Sequence, residues 1–216
     1  MGLAIATGLA LAPFSSPAQA YTVTTSFSNW QAVLSGYVIT TDPMDTVIAS
    51  AQTILLDSGI TSTNSGPITL PNPPYNNNSV NASGIYNNAV QGGSGVGVTA
   101  SNTINWIFPS PVVAFGAFFQ SASSGRLNLA ADFDGMGIQT LLVNETMMAS
   151  TGFLGIIGTV PFTNVTFGNA TDTVDGFGID QAAFAPVPGP LPVLGASAAL
   201  GWSRRLRRRI APRGAR

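Results

Sequence analysis

Val112 to Gln120 reads VVAFGAFFQ, and shortly after it Leu127 to Phe133 reads LNLAADF. The first stretch is almost continuously apolar, the pattern of a strand covered on both faces. The second alternates: Leu127, Leu129, Ala131 and Phe133 take one side, and Asn128, Ala130 and Asp132 the other. That is the period of two of a half-buried strand. Asp134-Gly135 then supplies turn chemistry, and Ile138 to Val143 returns as the partner strand. A mainly β fold follows from these two stretches.

Working outward, Phe153 to Ile157, Asn164 to Gly168 and Gly176 to Phe184 continue the strand series toward the C-terminus. Toward the N-terminus, Tyr37 to Thr41, Thr53 to Asp57, Ile85 to Gln91 and Thr103 to Phe108 are short runs between Gly, Pro and Asn turns. One helix is expected, capped at Ser28-Asn29-Trp30-Gln31, with Trp30, Val33 and Leu34 on its apolar face and Gly36 as its stop. About ten short strands with turn signals every 8–12 residues indicate a single β-sandwich or jelly roll. A solenoid is the alternative, but no repeat of fixed length is present. Ser58 to Gly84, with Pro67, Pro71, Pro73, Pro74 and Asn76-Asn77-Asn78, reads as a long uncharged loop.

The 216 residues contain no Cys and no His, and all eight basic residues are arginines. Nucleophile systems built on His or Cys, ordinary zinc sites, disulfides and Schiff-base chemistry are therefore excluded. The net charge of −1 hides a partition. Seven arginines lie beyond Ser203, while all nine acids and Arg126 lie between Asp42 and Asp180, so residues 21–186 carry a charge of −8. A body this acidic repels phosphate backbones, and no nucleic-acid partner is expected. No charged residue stands between Asp57 and Arg126; Asn, Ser, Thr and Gly solvate that stretch instead.

Both ends read as address labels. In residues 1–20, Leu3 to Ala12 form a short apolar core, Pro13 to Pro17 break it, and Ala18-Gln19-Ala20 gives a signal-peptidase pattern that makes Tyr21 the mature N-terminus. No Lys or Arg precedes the apolar core, which we read as basic residues missing upstream. Residues 187–216 hold an extended proline segment, a short apolar part from Leu191 to Trp202, and the cluster Arg204, Arg205, Arg207, Arg208 and Arg209. The apolar part is expected to form a short sorting helix; a helix needs about 20 apolar residues to cross a bilayer, so the tail is a transient membrane handle with its arginines on the cytoplasmic face.

The stretch VPGPLPVLGASAALGWSRRLRRRI resembles the PEP-CTERM sorting signal of bacterial surface and exopolysaccharide-associated proteins, in its cyanobacterial variant. The resemblance implies a Gram-negative-type host and recognition by an exosortase. Pro188, Gly189 and Pro190 would be the motif, and Arg204 to Arg209 the stop-transfer cluster. Gly189 stands where the family name implies Glu. The body resembles the jelly-roll ectodomains found before such tails, through Phe115 to Phe119, LNLAADFDG, PFTNVTFG and DGFGIDQAAF. In related domains a Gly-Ile-Asp element on the last strand supplies one Ca²⁺ ligand, joined by an acid near the domain's start. Carried over, these are Asp180 and Asp45, although Asp45 stands in Pro43-Met44-Asp45-Thr46 rather than in a Phe-Glu-Gly context.

Apart from the resemblance, the acids are the only reactive inventory. Hard oxygen donors without His or Cys suit Ca²⁺, though aspartates also cap turns. Asp132 and Asp134 are expected on one strand face, about 7 Å apart. With Glu145 as the only glutamate, a two-carboxylate hydrolase is the least favoured reading. Sugar stacking would fall to Tyr75, between Pro74 and Asn76, or to Tyr86 and Trp106, with the surrounding amides binding hydroxyls. Trp106 and Phe108 also fit core positions. The expected function is a non-enzymatic surface or matrix component that binds polysaccharide, with Ca²⁺ as its cofactor. The alternative is a calcium-stabilised adhesive protein without a sugar site.

Overall fold

The computed structural model describes residues 21–65, 78–91, 102–122, 127–169 and 174–189. The first described elements are Thr22–Thr24 (β1), Phe27–Val33 (α1), Thr40–Asp42 (β2), Ile48–Ala51 (β3) and Thr53–Leu55 (β4). It continues through Thr61–Asn64 (β5), Asn78–Val80 (β6), Tyr86–Gln91 (β7), Ile104–Gln120 (β8) and Leu127–Ala131 (β9). Gln139–Leu142 (β10), Val143–Met147 (α2), Gly152–Asn169 (β11) and Val174–Pro186 (β12) complete it. The twelve strands form one large antiparallel sheet, ordered β10-β9-β11-β8-β12-β7-β6-β3 along its main path. β1 pairs β11, β2 pairs β12, and β5 joins β4 to β8.

β8 and β11 are the spine, and each runs straight through prolines. Pro109 and Pro111 interrupt β8, and Pro161 interrupts β11. Proline has no N–H to donate to a ladder. Accordingly the β8–β11 register breaks between Ile157 and Phe162 and again before Asn164. The two halves of each strand then serve different neighbours. The first half of β8 pairs β5 through Ile104 to Ile107, and the second half pairs β12 through Val112 to Gln120. Thr103 to Phe108 and Val112 to Gln120, expected as separate strands, are therefore one strand with a broken ladder. The same holds for Phe153 to Ile157 and Asn164 to Gly168.

VVAFGAFFQ is covered on both faces, as expected. Phe115 and Phe119 enter the main core with Trp106, Phe133, Phe167 and Phe184. Ala114 packs on the other side, where α1 seats Trp30 and Leu34. Trp30 is fully buried, and covering its 150–250 Å² contributes roughly 4–6 kcal/mol before ordering costs. Its ring lies so close to β11 that a Cβ on Gly155 would stand 2.5 Å from Trp30 Cδ1.

Four expectations need correction. The helix cap is Ser26, whose Oγ accepts from Asn29 N at 3.3 Å, rather than Ser28. Phe27 moves the start earlier, because its ring packs on Phe118 and Phe153 at 5.3 and 5.1 Å. Val33 is 65% exposed, so the apolar face is Trp30 with Leu34. A second helix exists: Val143, expected to end the returning strand, starts α2. The segment from Ser58 to Gly84 is not all loop, since β5 and β6 lie within it.

The chain divides between Pro186 and Val187. Val187, Pro188 and Gly189 are exposed and without regular structure. Pro190, the helix expected from Leu191 to Trp202, Arg204 to Arg209, and Ala18 and Ala20 lie outside the described residues. Among the described residues no helix is long and apolar enough to cross a membrane.

Candidate functional site

β5 has no backbone pairing with β6 or β7; side chains make that connection. Ser62 and Asn64 on β5 point inward, opposite to what their polarity predicts, and both are buried. Asn78 on β6 is their hub. Its Nδ2 donates to Gln52 O at 2.6 Å and to Ser62 O at 3.2 Å. Its Oδ1 accepts from Ser62 Oγ at 2.9 Å, from the Tyr86 hydroxyl at 2.7 Å, and from Asn88 Nδ2. Asn88 Nδ2 also donates to Tyr86 Oη at 2.9 Å, and Asn102 Nδ2 donates to Asn64 Oδ1 at 3.1 Å. Burial of polar groups is tolerable when each finds partners. Burial also pushes the Tyr86 hydroxyl up to about 12, against the lowering effect of its hydrogen bonds to Ser62 and Asn88.

This network fixes one wall of a groove of about 540 Å³. Asn88 belongs to both. Ser79, Asn81 and Asn87 line the β6–β7 side, and Gln120 and Ser121 extend from the end of β8. Gly176, Phe177 and Gly178 on β12 form the remaining side; a Cβ on Gly176 would meet open space, whereas one on Gly178 would stand 2.8 Å from Ile85 Cγ2. The amides are oriented by local bonds. Asn81 Oδ1 accepts from Ser83 N at 2.9 Å and Ile85 N at 3.1 Å, and Asn87 Nδ2 donates to Ile85 O at 2.8 Å. Every polar side chain in the lining is an uncharged amide or hydroxyl. Such a groove offers donors and acceptors beside the half-buried side chain of Ile85, and no ion among the described residues.

The expected site residues fall in different places. Tyr86 and Trp106 are fully buried and cannot stack on a sugar; Trp106 and Phe108 take the core positions that their strand implies. Tyr75 lies outside the described residues. Tyr21 is half-buried, with its ring 5.1 Å from that of Phe133. Asp132 and Asp134 are not strand neighbours: they follow β9 in a turn, where Asp132 Oδ1 accepts from Gly135 N at 2.7 Å and Asp134 Oδ1 from Met136 N at 2.9 Å. Glu145 is exposed on α2.

Asp45 and Asp180 reach the same corner of the sheet. Asp180 is the extra residue of a bulge, between the pairs Ile179–Phe119 and Gln181–Phe118, and bulges re-aim side chains. Ile179 pairs Tyr86, and Ala182 pairs Asp42, so Asp180 lies between the start of β7 and the chain leaving β2. Asp45 is on that same departing chain. A Cβ on Gly84 would stand 4.0 Å from Asp45 Oδ1, 3.5 Å from Met44 O and 4.0 Å from Pro43 O. Both aspartates are exposed. Among the described residues, no group of three or more acids gathers as a metal cage.

The alternating strands, the groove and its amide lining define a mainly β protein with a neutral polar cleft. No family model, curated protein or solved structure matches the chain.

Proposed function

We propose that this protein is an exported, non-enzymatic component of the bacterial surface or extracellular matrix, and that it binds a neutral saccharide in the groove between β6–β7 and the β8–β12 edge. The body on this reading is a single β-sandwich of jelly-roll type. Support comes from the two halves of β8, which pair different neighbours yet share one core: Trp106 and Phe115 meet at 6.0 Å, and Phe108 and Phe115 at 5.6 Å. The tail from Val187 onward is the sorting signal, handled by an exosortase while the protein is held at the membrane.

The uncharged lining carries the ligand assignment. Sugar hydroxyls pair with amides and hydroxyls, and an apolar ring face finds the half-buried side chain of Ile85. An anionic glycan would meet a body of charge −8 without one compensating cation among the described residues of the lining. Titration calorimetry with neutral and uronic-acid oligosaccharides tests this. Binding of the neutral set, lost in Asn87→Ala with Gln120→Ala, is the expected outcome; binding of the uronic set alone contradicts it. The sorting reading is tested by intact mass in the native host, where the mature protein is expected to start at Tyr21 and lack Arg204 to Arg209.

One observation favours calcium-stabilised architecture as a second reading. Asp45, Asp180 and the carbonyls of Pro43 and Met44 share a corner, and Ca²⁺ takes such oxygen donors. Ca²⁺ is then expected to raise the melting temperature, and Asp180→Ala to abolish the rise. A melting curve that chelation leaves unchanged removes the site.

A further inference from the structure

A second uncharged surface lies away from the groove, on the outward side of six strands. The ladder registers align Thr53 with Thr63, Thr63 with Asn105, and Asn105 with Thr166. They continue from Thr166 to Ala130 and from Ala130 to Thr140. The result is one row crossing β4, β5, β8, β11, β9 and β10. Inward neighbours on these strands, including Ile54, Trp106, Val165, Phe167 and Leu129, are buried, so the row faces out. All six of its members are exposed or half-buried. Two residues along, a second row aligns Leu55, Thr61, Ile107 and Asn164. Leu55 is 64% exposed and Ile107 45%.

Neighbours hold the polar groups of these rows in place. Thr53 Oγ1 and Thr63 Oγ1 are 3.2 Å apart. Asn105 Oδ1 accepts from Asn164 Nδ2 at 3.1 Å and from Thr166 Oγ1 at 3.4 Å. Strands repeat about every 4.7–4.9 Å and side chains on one face about every 6.5–7 Å, so the face is a regular array of hydroxyls and amides beside a short apolar strip. None of the six strand segments contains a charged residue, within a body of charge −8.

From this we infer that the outward face of β4, β5, the first half of β8, the second half of β11, β9 and β10 binds the extended chain of a neutral polysaccharide. Charge decides the occupant. Among the described residues the face has no cation for a phosphate or uronate, and an anionic polymer would approach against the field of the whole body. Two exposed aliphatic side chains are far less than the apolar core of a stable protein interface. They do match the apolar ring face of a sugar, while the threonine–asparagine row matches its hydroxyl edge. The inference rests on the neutral-saccharide reading proposed above, but it uses a different surface, and the two fail separately.

The test is retention of the full chain on insoluble cellulose, an uncharged glucan, at low and high ionic strength. Retention is expected to be independent of salt. Thr63→Val with Thr166→Val keeps side-chain branching and strand preference while removing two hydroxyls; it is expected to weaken retention about tenfold with an unchanged melting temperature. Leu55→Asn with Ile107→Asn is expected to do the same. The groove variant Asn87→Ala with Gln120→Ala is expected to retain cellulose binding while losing soluble oligosaccharides. Equal retention of the face variants and the wild type overturns the inference, as does retention lost only in the groove variant. A wild-type dimer in sedimentation that the face variants dissolve also overturns it, and assigns the face to a second copy of the chain. Failure of soluble oligosaccharides to bind, with cellulose retention still lost in the face variants, removes the groove reading alone.

Discussion

Replacing Asn78 by leucine isolates the side-chain seam between β5 and β6. The two side chains are close in volume, so the change leaves hydrogen bonding as the main variable. Gln52 O and Ser62 O lose their amide donor, and Ser62 Oγ, the Tyr86 hydroxyl and Asn88 Nδ2 lose their acceptor. Part of this is recovered, because Ser62 Oγ and Tyr86 Oη already lie 3.0 Å apart and Asn88 Nδ2 still reaches Tyr86 Oη at 2.9 Å. Gln52 O still accepts from Asn64 N at 2.9 Å, so about two buried groups remain short of a partner, at roughly 1–2 kcal/mol each. The expected loss is about 3 kcal/mol, or a fall of about 8 °C in melting temperature for a body of this size. Denaturant unfolding followed by tryptophan fluorescence measures it, since Trp106 packs edge-on against Tyr86 at 5.0 Å. A variant within about 2 °C of the wild type, or more stable than it, would refute the claim that these amides join strands the backbone leaves unpaired.

The same seam sets a limit at high pH. Tyr86 is protonated in the fold to about 12 against an ordinary value of 10. The folded state therefore holds its proton more tightly, and stability is intact below pH 10 and falls as pH rises toward 12, by up to about 3 kcal/mol. Tyr86→Phe should flatten that fall in denaturant titrations across this range, at a cost near neutral pH of about 1–2 kcal/mol. Gly155→Ala places a methyl against Trp30 and Phe153; an over-packed core typically loses about 1–3 kcal/mol, and quenching experiments should find Trp30 more accessible. Asp42 is buried and accepts from Met44 N and Ser58 N, both at 2.9 Å. Asp42→Ala leaves both N–H groups unpaired and should cost about 3 kcal/mol by thermal unfolding, whereas Asp132→Ala, at an exposed turn, should cost under about 1 kcal/mol.

Strand signals were legible wherever apolar residues faced inward. LNLAADF alternates in the sequence and in its burial, and VVAFGAFFQ is covered on both sides because α1 lays Trp30 over the face that the main core leaves free. Thr61-Ser62-Thr63-Asn64 shows the opposite case. Its inward residues are Ser62 and Asn64, so hydrophobic periodicity has nothing to detect and the segment reads as loop. Prolines misled in a second way: Pro109, Pro111 and Pro161 mark breaks in a ladder, but the chain continues in the same direction through them. The groove was not legible in the sequence. Hydroxyl binding was expected of the amides around Tyr75, Tyr86 and Trp106, whereas Gln120, Ser121 and Gly176 come to one cleft with Asn81 and Asn87 only through the β7–β12–β8 pairing. Spacing along the chain carries no trace of that pairing.

The uncharged run between Asp57 and Arg126 acquires a physical sense from this geometry. It supplies β5, β6, β7 and β8, and hence much of the groove and the centre of the outward threonine–asparagine row. Solubility alone would be served by Lys and Glu on these strands. A surface that is to be covered by a neutral polyol faces a different demand, because each ion buried under the ligand loses several kcal/mol of hydration that a hydroxyl cannot restore. Amides and hydroxyls lose less on burial and regain it from matched hydrogen bonds. Several acids stand instead in turns or at a bulge, as Asp132 and Asp134 do beyond β9 and Asp180 in β12, while Asp42 and Asp175 pair within the ladders of β2 and β12. Among the described residues, charge is thus absent from the side chains lining the two surfaces proposed to bind sugar.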